Sequence, residues 1–176
     1  KAPNAPLSVG SAIIDNQELP VFSKAPANLY ELYRIGLTDA DQDFLVYEAE
    51  RYSFGEAFTA ASKLSRQLRE RYGIDIGDRV AICARNSPEW CLAYMAITMI
   101  GAIVVPMNSW WTGSELEYGL QDSGAKLIFA DSPRFDAIKS SLSKLSIEVV
   151  LIRPTTADSA FQEIHSLISG CKPLEK

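Results

Sequence analysis

Histidine is almost missing from this 176-residue chain, where His165 stands alone, and cysteine is scarce. Cys83, Cys91 and Cys171 are odd in number and form no C-x-x-C pair. That set excludes a disulfide framework and a zinc site, which needs several convergent ligands. Unpaired thiols in apolar surroundings suit a reducing cytoplasm. His165 has only Glu163 nearby, and in Phe161-Gln162-Glu163-Ile164-His165-Ser166-Leu167-Ile168 it reads as a surface-facing helix position without a metal or catalytic duty. Clustered basic charge is absent as well. With a net charge of -5 and Lys and Arg scattered among acids, nucleic acid is excluded as a partner.

Long apolar runs are also wanting. The stretch from Trp90 to Met107 is interrupted by Gly101 and Pro106 and falls short of the roughly 20 apolar residues that a bilayer-spanning helix requires. No transmembrane segment is expected. Lys1 to Pro6 is polar and proline-rich, unlike a secretory signal.

Phosphate-binding loops of the common kinds do not occur. No strand is followed by G-x-G-x-x-G, G-x-S-x-G or G-x-x-x-x-G-K-[ST], which argues against dinucleotide-binding domains, nucleophile-elbow hydrolases and P-loop NTPases. The loop Arg85-Asn86-Ser87-Pro88 has no acidic pair for magnesium, so Asp131 at a strand end does not make a receiver domain. Ser169-Gly170-Cys171-Lys172-Pro173 has too few glycines and hydroxyls to wrap phosphate and reads as a helix end.

What is present is a rhythm. Hydrophobic residues make up 47% of the chain, enough for a core in one unit of ordinary size. Residues 1–27, with Pro3, Pro6, Pro20 and Pro26, are expected to form an irregular arm, and residues 28–176 an α/β unit. Asn28 caps a short helix to about Ile35, and Asp43–Tyr47 with Arg51–Tyr52 forms a hairpin across Glu48-Ala49-Glu50. Ser53-x-x-Glu56 is a capping box that opens a long amphipathic helix ending near Gly73. From Arg79, strands at 79–84, 102–105, 126–130 and 147–152 alternate with helices at 87–100, 112–122, 132–145 and 158–168. Strand starts recur every 21 to 24 residues, leaving a helix-sized connection each time, as right-handed crossovers of a parallel sheet require. Val80-Ala81-Ile82-Cys83-Ala84 and Ile103-Val104-Val105 are continuously apolar, which places helices on both faces. The predicted fold is α/β in three layers with a mainly parallel sheet, Rossmann-like or flavodoxin-like in layout.

Five pieces in order carry a resemblance: Tyr52-Ser53-Phe54-Gly55-Glu56-Ala57, Gly77-Asp78-Arg79-Val80, Asn86-Ser87-Pro88-Glu89-Trp90, Ile100 to Asn108, and Asp122-Ser123-Gly124-Ala125-Lys126. Over roughly Leu29 to Ile152 the chain resembles the amino-terminal part of AMP-forming acyl-CoA synthetases, the adenylate-forming ligases. The Gly/Ser/Thr-rich loop ending in Pro-Lys-Gly, which cradles ATP phosphates in that family, is absent. The chain therefore reads as a fragment. The resemblance implies a parent enzyme that uses ATP and Mg2+ to activate a fatty or other carboxylic acid as an acyl-adenylate and passes it to coenzyme A. The fragment alone is expected to be inactive and to bind none of these cofactors. A cytoplasmic enzyme is implied, with peripheral membrane attachment of the parent left open.

Most matched residues are caps and turns by their chemistry. Two places are candidates for ligand. Asn108-Ser109-Trp110-Trp111 leaves a central strand at its carboxyl end, where α/β sheets bind ligands. By the resemblance Ser109, Trp110 and Trp111 lie near the coenzyme A channel; packing of the tryptophans on a neighbouring helix is the competing reading. Arg134, at a helix start after Ser132-Pro133, suits a phosphate of coenzyme A or simply faces solvent. No catalytic residue and no metal ligand is assigned. Exposed apolar surface, with a swapped arm, predicts a homodimer. A non-catalytic α/β binding module, an amino-acid adenylation domain and a luciferase-type ligase are the alternatives.

Overall fold

The computed structural model of the chain describes residues 8–156 and 160–174. Its centre is a five-stranded, wholly parallel sheet in the order β6-β5-β7-β8-β9, formed by β5 (Arg79–Cys83), β6 (Ile103–Pro106), β7 (Leu127–Asp131), β8 (Glu148–Ile152) and β9 (Gln162–Glu163). Two antiparallel hairpins precede it, β1 (Val9–Ile14) with β2 (Gln17–Phe22), and β3 (Asp43–Tyr47) with β4 (Glu50–Ser53). The helices are α1 (Leu29–Ile35), α2 (Phe54–Glu70), α3 (Pro88–Met99), α4 (Gly113–Ser123), α5 (Ser132–Ile138), α6 (Leu142–Leu145) and α7 (Ile164–Ser169).

Three layers follow from the two-residue period of a strand. Val80 and Ile82 of β5, Leu127 and Phe129 of β7, and Val150 and Ile152 of β8 face one side, where they meet Leu64 and Leu68 of α2, Ala93 and Ile97 of α3, and Ile164 and Leu167 of α7. The intervening Ala81, Cys83, Ile128, Ala130, Val149 and Leu151 meet Leu116 and Leu120 of α4, Phe135 and Ile138 of α5, and Leu142 of α6 on the other. Both faces are covered, which is why the strands read as continuous apolar runs.

The caps behave as their residue types dictate. Ser53 and Thr112 each close a capping box, with Glu56 and Glu115 reaching back to their amides. Pro88 and Pro133 sit in the first turns of α3 and α5, where a missing N–H costs nothing. Gly124 ends α4 in the left-handed region at φ 62, open to glycine without Cβ strain.

Three expectations fail. The described part of the arm holds a regular hairpin in place of irregular chain, because Asp15 and Asn16 both adopt positive φ and make the tight turn that matches strand twist. Pro20 sits opposite Ser11 in this two-stranded ribbon, where its missing amide is tolerated at an edge. The helix expected over 132–145 breaks at a 3-10 turn, Lys139–Ser141, between α5 and α6. The last helix begins only at Ile164, after β9 has joined the sheet; residues 158 and 159 of its expected start lie outside the described residues.

Candidate functional site

The strand order contains a reversal. The connection from β5 reaches β6 on one side, and the next returns across β5 to β7 on the other, so a crevice opens above the carboxyl ends of β5 and β7. The connections that reach this crevice are the loops after β5 at residues 84–87 and after β6 at 107–112, and the direct junction of β7 with α5 at Asp131–Ser132.

One buried ion pair ties these three connections together. Asp131 caps α5 by accepting the Arg134 amide at 3.3 Å, and its other oxygen accepts the Arg85 amide at 3.0 Å. Arg134 returns Nη1 to Asp131 at 3.2 Å and donates Nε to the Ser109 carbonyl at 2.8 Å. The Asn108 side chain accepts the Trp110 amide at 2.9 Å, folding the 108–111 loop into a tight turn. Beneath it Cys83 is buried, and burial together with the Asp131 charge pushes its thiol up to about 11, so it stays protonated.

Above this floor lies a cleft of about 560 Å³ lined by Tyr47, Arg85, Asn86, Ser109 and Trp110. The Arg85 guanidinium sits 5.5 Å from the Trp110 ring centre, a cation–π geometry. Trp110 is 77% exposed, leaving ring surface for a planar partner. Trp111 behaves differently. Its ring packs over α4 at Gly119, where an added Cβ would lie 3.0 Å from Trp111 Cζ3.

Of the residues singled out in the sequence, Ser109 and Trp110 line the cleft, whereas Trp111 and Arg134 lie outside its lining. Arg134 is neither solvated nor open at this point; it is buried beneath the loop it holds. Tyr47, Arg85 and Asn86 were not marked for this role, although the apolar-to-polar change at the carboxyl end of β5 was a usable signal for the last two.

A second cluster adjoins the cleft. Glu89, in the first turn of α3, is fully buried, and its oxygens meet His165 Nε2 and Arg153 Nε, each at 2.8 Å. Arg153, just after β8, also grips Glu50 at 2.9 and 2.5 Å and lies 5.1 Å from the Tyr47 ring centre. Burial alone would raise the Glu89 carboxyl, but the His165 and Arg153 hydrogen bonds outweigh it and hold it below the ordinary carboxylate range. The Glu89 hydrogen bond raises the His165 ring above its usual value, against an opposing contribution from burial. Among the described residues no group of three or more His, Cys, Asp or Glu is placed to hold a metal, and no helix is long and apolar enough to cross a membrane.

The profile of the AMP-binding enzyme family matches residues 36–169, most of the chain. The chain belongs to that family. The chain is similar to the acyl-CoA ligase SID4 of Ajellomyces capsulatus, at 32% identity over 101 residues covering 57% of this chain and 17% of that protein. To the long-chain-fatty-acid–CoA ligase of Salmonella typhimurium it is 31% identical over 126 residues, 71% of this chain and 22% of the ligase. In three dimensions it matches the anthranilate CoA ligase AuaEII in complex with anthranoyl-AMP, with a TM-score of 0.81 and 21% identity over 88% of this chain and 30% of that one. At that identity the likeness is one of fold. The chain spans about a fifth of the length of these curated relatives and under a third of the solved ligase.

Proposed function

We propose that this chain is the amino-terminal part of an AMP-forming acyl-CoA ligase acting in the cytoplasm on a fatty or other hydrophobic carboxylic acid. In that reaction the carboxylate attacks the α-phosphorus of ATP and releases pyrophosphate; the coenzyme A thiol then attacks the acyl-adenylate carbonyl and releases AMP. The observation that carries the reading is the cleft at the carboxyl ends of β5 and β6, with Arg85 set beside Trp110. An aromatic face beside a guanidinium fits a ligand that combines a planar base with phosphates, as coenzyme A does. Trp110 and Arg85 would hold its nucleotide end, Asn86 and Ser109 would offer hydrogen bonds, and Trp111 and Arg134 would act by fixing the loop. The named relatives that are CoA ligases support the same class.

The residues present lack the phosphate loop by which the resembling ligases hold ATP with Mg2+. The sequence has no Gly/Ser/Thr-rich loop ending in Pro-Lys-Gly to wrap the phosphates through which Mg2+ is usually held. By themselves these 176 residues are expected to release no pyrophosphate with any acid. Exposed Val9, Ile13 and Phe22 on the first hairpin support self-association, which light scattering would check.

The test is a coenzyme A titration of the ligase that carries these residues. Trp110→Ala should weaken binding about tenfold, since base stacking on an aromatic is worth about 1–3 kcal/mol. Trp111→Ala and Arg134→Ala should weaken it by displacing the loop. Wild-type affinity in all three would remove the reading.

A further inference from the structure

Arg153 was invisible as a site residue, yet it joins elements far apart in sequence. Tyr47 and Glu50 belong to the β3–β4 hairpin, and Glu89 belongs to the first turn of α3, three positions beyond Asn86. These are two of the elements that line the cleft, the hairpin through Tyr47 and the β5–α3 connection through Arg85 and Asn86. The Arg153 guanidinium spans them: Nε donates to Glu89 Oε2 at 2.8 Å, Nη1 and Nη2 donate to Glu50 at 2.9 and 2.5 Å, and its plane lies by Tyr47. The planar fork of arginine makes this arrangement, which a lysine ammonium cannot copy. The backbone of Arg153 takes φ 46, a left-handed conformation that non-glycine residues seldom adopt and that persists where surrounding contacts over-determine it.

We infer that Arg153 is a positioning residue, a clamp that keeps the hairpin wall and the α3 wall of the cleft in register. The role in ligand binding rests on the cleft being the coenzyme A site; the clamp itself does not. Glu89 is buried with its charge divided between Arg153 and His165, so it anchors one end, and Glu50 at the surface is the releasable end.

Removing Arg153 outright strands a buried carboxylate and endangers folding, so two gentler variants test the clamp. Glu50→Gln frees the hairpin while leaving the Glu89 pair intact. Arg153→Lys keeps a cation beside Glu89 but lacks the planar fork that holds both Glu50 oxygens while bonding Glu89. In hydrogen–deuterium exchange on this chain, both should speed exchange over residues 43–53 by about 1.5- to fivefold, the range for a partly exposed ion pair, and leave β7 unchanged. Wild-type exchange over 43–53 in both variants overturns the clamp. In the intact ligase the same variants should weaken coenzyme A binding by a similar factor. Loosened hairpins with unchanged affinity overturn the positioning role, and a wild-type ligase that holds coenzyme A elsewhere overturns the site while the exchange data still decide the clamp.

Discussion

Replacing Glu89 by glutamine should cost stability in a way that depends on pH. The carboxylate is wholly buried and accepts one charge-assisted hydrogen bond from Arg153 and another from His165, both 2.8 Å long. Each bond to a charged group is worth about 1.5–3 kcal/mol, and glutamine keeps roughly half of that hydrogen-bonding capacity, so a loss of about 3 kcal/mol is expected near pH 5.5. The folded His165 value is raised, so its contribution is complete below the unfolded value of about 6.5 and disappears as pH rises through the folded value. Glu89 is depressed, so its contribution is complete above the unfolded value of about 4.3 and is lost only as pH falls toward the folded one. Both contributions coexist between about pH 5 and 6. Urea denaturation followed by tryptophan fluorescence should therefore show a larger gap between wild type and variant at pH 5.5 than at 8.5. With a slope of about 2 kcal/mol per molar, the midpoint at pH 5.5 falls by about 1.5 M. Because His165 is the single histidine, its ring resonance reports the same linkage directly and should titrate lower in the variant. Equal gaps at the two pH values, with an unmoved histidine titration, would refute the argument.

Other consequences are simpler. Leu64→Ala empties a fully buried position between α2 and the sheet and should cost about 3 kcal/mol in denaturant titrations. Gly113→Ala would set a Cβ 2.3 Å from the Ala137 carbonyl oxygen, forcing α4 and α5 apart; about 2 kcal/mol of lost stability is expected by thermal melting. Cys83, raised to about 11 by burial, should alkylate at pH 8 about a hundredfold more slowly than an ordinary thiol, and mass spectrometry of the labelled native chain would show it. Asp131→Asn should loosen the loops after β5 and β6 together, read as faster exchange at both Arg85 and the 108–111 turn.

The parts of this fold that the sequence announces are those whose causes are local. Ser53 and Glu56, Thr112 and Glu115, and the two prolines at helix starts mark their boundaries through neighbours three residues away or fewer. The parallel sheet shows itself through apolar strands spaced one helix apart. The first hairpin escaped because Asp15-Asn16 is a weaker turn signal than Asn-Gly and four prolines favour irregular chain. Within the site, Ser109 and Trp110 were legible from their place after a strand. Arg134 was legible as a residue of interest but not as a buried one, since the loop that covers it, through Ser109, lies 25 residues away. Arg153 had no local signal at all; its partners Glu50 and Glu89 lie 103 and 64 residues away.

The most direct measurement is hydrogen–deuterium exchange of the ligase that carries these residues, with and without coenzyme A. Binding in the cleft at the carboxyl ends of β5 and β6 predicts slower exchange at residues 85–87 and 108–111, with about tenfold more coenzyme A needed for the same protection in Trp110→Ala. Saturating coenzyme A that protects neither segment, or protects only surfaces at the amino ends of the strands, would contradict the account.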